Sequence, residues 1–179
     1  MRTPGPSAVP LAAVLLAVAL LVGACGAGPS PRAWAASVCQ ALGPWRTEIN
    51  NLTSVTQQQI TAKTTPAQAK ENLVRLMAGA ERATETAREQ VAGAGVPDAD
   101  QGEVVSRGFI ASLTAVRDAY GKAKTSIEEL SIDQPAVFYD GVQAVMETLN
   151  TDYRASAVDT SKLNSEELER AFDEVPECR

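Results

Sequence analysis

Beyond residue 32, apolar positions recur at spacings of three and four, the period of one helix face, and no stretch alternates in the period of two that marks a strand. The first run, Trp34, Val38, Leu42, Trp45, Ile49 and Leu52, predicts a long helix. Gly43-Pro44 falls inside it and predicts a kink or short break, because proline lacks an N–H and its ring crowds the preceding turn. Thr65-Pro66-Ala67-Gln68 predicts the start of a second helix, with a threonine cap, proline at the first helical position and glutamine at the third. Its stripe reads Ala69, Leu73, Leu76, Ala80, Ala83, Ala87 and Val91, and Gly93 and Gly95 end it. Asp100-Gln101-Gly102-Glu103 predicts a capping box for a third helix, striped by Val105, Phe109, Leu113, Val116, Tyr120, Ala123, Ile127 and Leu130. Asp133-Gln134-Pro135 opens a fourth, with Phe138, Val142, Val145, Leu149 and Tyr153 on one face. Leu163-Asn164-Ser165-Glu166-Glu167-Leu168 fits a hydrophobic staple and capping box, Leu163 packing on Leu168. The short helix that follows buries Leu168, Ala171, Phe172 and Val175 and stops before Pro176.

Four long helices joined by short turns must alternate in direction. The expected fold is therefore all-α: an elongated up-down-up-down four-helix bundle with a short fifth C-terminal helix. A helix of about 28 residues is roughly 42 Å long.

The N-terminal segment has a different pattern. Arg2 supplies positive charge, residues 11–22 (LAAVLLAVALLV) are unbroken apolar sequence, and the small residues Gly23 and Ala24 follow. An apolar core of about a dozen residues suits a secretory signal, whereas a spanning helix needs roughly 20. The tetrad Val22-Gly23-Ala24-Cys25 resembles the lipobox of bacterial lipoproteins: an aliphatic residue, two small ones, then a cysteine. That resemblance implies diacylglycerol on the Cys25 thiol, cleavage before it, and membrane lipid as a partner held through Cys25. The chain thus divides into a signal peptide (1–24), a lipidated N-terminus and Gly/Pro/Ser tether (25–32) and a helical domain (33–179). Its expected location is the extracytoplasmic side of the cell membrane.

Maturation would leave 155 of the 179 residues, enough for one domain with its own core. The net charge of −6 becomes −7 once Arg2 is removed, and histidine is absent. Such a domain lacks the basic stripe that phosphate binding requires, so nucleic acid is not an expected partner. With Cys25 assigned to lipid, Cys39 and Cys178 remain as a pair in an oxidising compartment. A redox-active pair would favour C-x-x-C spacing, which they lack, so a structural disulfide is expected. It would join the C-terminus to the early part of the first helix, at the membrane-proximal end.

Candidate chemistry is sparse. Without histidine the usual acid/base group near neutral pH is missing, the domain thiols are expected to be oxidised, and neither G-x-S-x-G nor S-x-x-K occurs. An enzyme is not expected, nor a cofactor. Asp98, Asp100 and Glu103 form a small acidic group, but the spacing fails the EF-hand pattern, with Gly102 fifth and Phe109 twelfth from Asp98. Trp34 and Trp45 share a helix face three turns apart. They are expected to pack under the fifth helix against Phe172 and Val175; the functional alternative is an exposed aromatic patch for a partner. Gly79, Gly108, Gly121 and Gly141 inside helices predict close helix approach. The C-terminal acids, Glu166, Glu167, Glu169, Asp173, Glu174 and Glu177, read as a solvated face.

The lipobox, Trp34-x3-Val38-Cys39-x2-Leu42-x2-Trp45, the turn Val96-Pro97-Asp98-Ala99-Asp100-x-Gly102, and the ending Ala171-Phe172-x2-Val175-Pro176-Glu177-Cys178 together resemble a group of small actinobacterial lipoproteins. The shared motifs are a disulfide, caps and core aromatics, so the resemblance implies location and fold and carries no catalytic residues. The expected role is a non-catalytic module that binds or scaffolds a partner at the cell envelope, an unknown envelope protein or a small ligand. The alternative is a carrier or sensor accessory holding a small ligand between helices.

Overall fold

The computed structural model describes residues 28–156 and 163–179. The signal peptide, Cys25 and the Gly26-Ala27 pair lie outside the described residues. Five helices follow one another: α1 (Pro31–Gln59), α2 (Pro66–Gly93), α3 (Gly102–Glu129), α4 (Pro135–Ser156) and α5 (Glu166–Glu174), then one 3-10 turn (Pro176–Cys178). No strand occurs among the described residues. The antiparallel α2–α3 pair is the centre of the molecule; α1 packs on α2, α4 on α3, and α5 with its 3-10 turn folds back onto α1.

Helix α1 is capped by Ser30, whose hydroxyl accepts from the Ala33 N–H (3.3 Å), with Pro31 in the first turn. Arg32, expected in the tether, is already helical. Of the expected kink or short break at Gly43-Pro44, the break does not occur, and α1 runs through Pro44 as a single helix. An interior proline costs about 3 kcal/mol. Packing on both sides offsets this: Trp34, Ala35, Val38, Cys39 and Ala41 are buried before it, and Trp45 and Ile49 pack after it. Gln40, whose carbonyl the proline ring deprives of a donor, is exposed, as is Pro44 itself.

The α2 capping box forms in full: Thr65 Oγ1 accepts from the Gln68 N–H (3.3 Å), and Gln68 Oε1 accepts from the Thr65 N–H (3.0 Å). Its innermost seam is Leu73, Met77, Ala80, Thr84, Ala87 and Val91, while Leu76 and Ala83 are only half-buried. The α3 stripe is buried from Val105 to Ile127 at every expected position, with Leu130 half-buried at its end. The expected Asp100 capping box is absent. Gln101 enters α3 in the left-handed region (φ 57°), and a backbone bond, Gly102 N–H to Ala99 O (3.0 Å), closes the turn. The fit there is tight, since a Cβ on Gly102 would lie 2.2 Å from the Pro97 carbonyl oxygen.

Helix α4 is the loosest of the long helices. Phe138 and Leu149 are buried, Val142 and Val145 half-buried, and Tyr153 exposed. At α5, Ser165 Oγ accepts from the Leu168 N–H (3.4 Å), but the reciprocal half of the box is missing because the third helical residue is Leu168 rather than an acid. Leu163 packs at the edge of the same cluster. Of the four glycines expected to mark close helix approach, three do: a Cβ would meet Leu52 at Gly79 (2.9 Å), Glu81 at Gly121 (3.0 Å) and Leu130 at Gly141 (2.7 Å). Gly108 faces open space.

Candidate functional site

Cys39 lies on α1 about two turns from its start, and the 3-10 turn carries Cys178 to it. The two are disulfide-bonded, with Cα atoms 5.0 Å apart. The bond fastens α5 across the first turns of α1, where Leu168, Ala171, Phe172 and Val175 join Trp34, Val38, Phe109 and Leu113 in one cluster. The C-terminus therefore lies beside early α1.

Trp34 sits at the centre of that cluster with no solvent exposure. Its ring meets Phe109 and Phe172 edge-on (centroids 5.5 and 5.8 Å), and those two rings stack on each other at 5.5 Å. The indole N–H donates to the Gly95 carbonyl (3.0 Å), which also accepts from Ser106 Oγ (3.1 Å). Trp45 is half-buried and bridges to the second cluster, formed by Leu73, Met77, Val116, Tyr120, Ile127 and Leu149. Its N–H donates to Thr84 Oγ1 (3.0 Å), which in turn donates to the Ala80 carbonyl (2.7 Å). The two tryptophans thus do not combine into one surface patch, because Trp34 belongs to the interior.

The Gly95 carbonyl belongs to a platform that the sequence pattern did not reveal. Gly95 is left-handed (φ 77°), and the turn after it holds the first described residues of the chain. The Asp98 N–H donates to the Pro29 carbonyl (2.9 Å), and a Cβ on Gly28 would lie 2.0 Å from the Val96 oxygen. The segment read as a flexible tether is therefore docked from Gly28 onward, and α1 begins three residues later. Backbone bonds of this kind leave no side-chain signature.

Charged groups cluster between α2 and α3. Glu85 accepts from Arg88 (2.6 and 2.9 Å) and from Arg117 (2.8 Å), and Arg117 also reaches Asp118 (2.7 Å). The hydrogen bonds from Arg88, then those from Arg117, hold the Glu85 carboxyl down at about 2. Lys124 donates to Glu81 (2.7 Å), which raises the Lys124 pKa. Burial pushes the Tyr120 hydroxyl up to about 12. Arg117–Glu85 and Lys124–Glu81 tie α2 to α3, whereas Arg88–Glu85 lies within α2.

Two open grooves of about 230 Å³ flank the bundle. One lies between α3 and α4 over Ala119, Ala123, Val145 and Leu149; the other lies between α1 and α2 beside Trp45, Glu48, Ala83 and Gln90. A broader open depression of about 630 Å³ runs from Asp100 to the start of α5. Asp98, Asp100 and Glu103 do not assemble a metal site, and no cluster of three potential ligands occurs among the described residues. The C-terminal acids are solvent-facing, Glu169 being half-buried. No described helix is long and apolar enough to cross a membrane. No protein-family model matches the chain, and no curated protein or solved structure shows significant similarity to it.

Proposed function

We propose that this chain is a bacterial lipoprotein of the small actinobacterial type, anchored through Cys25 on the extracytoplasmic side of the cell membrane. Its helical domain acts there as a non-catalytic binding or scaffolding module. The observation that carries the reading is the division of the three cysteines. Cys39 and Cys178 are joined, which leaves Cys25, at the end of an apolar leader and within a lipobox-like tetrad, as the one remaining thiol. Two or three acyl chains on one residue, at about 0.8 kcal/mol per buried methylene, give stable anchoring.

A scaffold is favoured over a small-ligand carrier by the grooves. At about 230 Å³ the two inter-helix grooves fall below the roughly 300–1,000 Å³ of enclosing ligand sites, and the larger depression is open to solvent. Replacing Cys25 with serine and fractionating the producing cells tests the anchor. The variant is expected in the soluble fraction with its helical circular dichroism and melting temperature unchanged. Retention in the membrane fraction would contradict the reading. Native mass spectrometry of the domain separates the two roles, because a carrier would retain a bound small molecule.

A further inference from the structure

The docked N-terminal residues have a geometric consequence for an anchored protein. Only Gly26 and Ala27 separate Cys25 from Gly28, and Gly28 is held against the Val96 carbonyl. Three trans peptide links at 3.8 Å each limit the distance from Cys25 Cα to Gly28 Cα to about 11 Å. The polar layer on each face of a bilayer is roughly 5–8 Å deep. A lipid on Cys25 therefore brings the α2–α3 turn to the headgroups rather than leaving it on a long leash.

That turn carries two half-exposed apolar side chains. Val96 is 46% exposed beside Gly28, and Val104 is 49% exposed in the first turn of α3. The turn is also stiff. Gly95 O takes two side-chain donors, Pro29 O takes the Asp98 N–H, and Gly102 is pressed on Pro97. A stiff loop that displays valines, and whose Val96 carbonyl abuts a Gly28 held within about 11 Å of Cys25, is placed to bury them in the interfacial layer. We infer that the α2–α3 turn is a membrane-seating surface, with Val96 and Val104 contacting the bilayer beside the lipid on Cys25. This rests on the anchoring reading above. Its partner is the lipid interface itself, and zwitterionic lipid suits it, because exposed Asp98 and Asp100 on the same turn repel anionic headgroups.

The test uses the full lipoprotein purified from membranes and reconstituted in phosphatidylcholine vesicles carrying a shallow nitroxide quencher. Single variants Val96→Cys, Val104→Cys and Val137→Cys each receive the same small fluorophore. Val137 is exposed on α4 at the opposite end of the bundle and serves as the distant control. Quenching at positions 96 and 104 is expected to exceed that at 137 by threefold or more. Inserting fifteen Gly/Ser residues between Ala27 and Gly28 is expected to reduce it severalfold. If Cys25 is acylated yet positions 96 and 104 are quenched no more than 137, the seating surface is wrong and the anchor stands. If the mass of the purified protein shows Cys25 unmodified, the anchor fails and the seating surface with it.

Discussion

At the end where α1 begins, Trp34, Phe109 and Phe172 share a buried cluster beneath α5, and the Cys39–Cys178 bond fastens the helix that covers them. At the opposite end, the turns after α1 and α3 have no such cover, and Val55, Ile60, Ile132, Val137 and Tyr139 are exposed. The closed end gathers three buried aromatic rings and the disulfide, whereas Phe138 and Ile127 are the large fully buried side chains toward the other. A small aromatic-poor domain closes one end with a covalently held lid, and it relies on the α2–α3 pairing to carry the other. The disulfide and the aromatic cluster lie where the chain enters, the end that would face the membrane under the proposed anchoring.

Removing the lid should have the largest effect on this asymmetry. A bond between residues 139 apart constrains the unfolded chain by about 5 kcal/mol in the entropy model, within a usual range of about 2–5. The pair Cys39→Ala with Cys178→Ser is expected to lose about that much stability in urea unfolding. Amide exchange should quicken first in residues 166–178, well before residues 116–127. Uniform loosening of both ends would break the comparison.

Trp34→Ala comes next, at about 3–5 kcal/mol for a fully buried aromatic, and Trp45→Ala should cost roughly half as much. Equal losses at the two positions, measured by thermal and urea melts, would mean that the bridge between clusters matters as much as the closed end. Smaller effects separate two glycines near the same end. Gly102→Ala forces a Cβ onto the Pro97 backbone and should destabilise by about 1–3 kcal/mol. Gly108→Ala meets nothing within 4 Å and should stabilise by about 0.5–1 kcal/mol.

The smallest effect belongs to Glu85, partly exposed and screened by solvent. Its carboxyl sits at about 2 in the folded protein against an ordinary 4.5, so its contribution is fully present above pH 4.5. It is lost as pH falls from 4.5 toward 2. The melting-temperature gap between wild type and Glu85→Gln should therefore be constant above pH 5 and shrink through that window. A gap independent of pH would show that the arginine contacts are not charge-assisted.

Much of this architecture was legible because the helices carry their own punctuation. The α3 stripe and the Thr65 box follow from local rules alone. The α2 seam was misplaced at Met77 and Thr84 because a buried threonine, bonded to Trp45, reads as polar in one dimension. At Pro44 the break, one of the two expected outcomes, is absent since the proline's cost is local while the burial that outweighs it is tertiary. Asp100 looked like a cap only because the left-handed Gln101 and the contact of Gly102 with Pro97 have no sequence signature. Counting cysteines pointed to Cys39 and Cys178, and the Trp34 packing followed from periodicity. The Arg117–Glu85 tie depends on α2–α3 register, and the docking of Gly28 and Pro29 on backbone contacts, so neither was visible.

The proposed anchor at Cys25 would hold the closed end at the membrane, and it is directly measurable. Trypsin should release the peptide 25–32 from protein purified from membranes of the producing bacterium. Mass spectrometry of that peptide is expected to show the new N-terminus at Cys25, with diacylglycerol on its sulfur. A peptide beginning upstream of Cys25, or one with a free Cys25 thiol, would contradict the account.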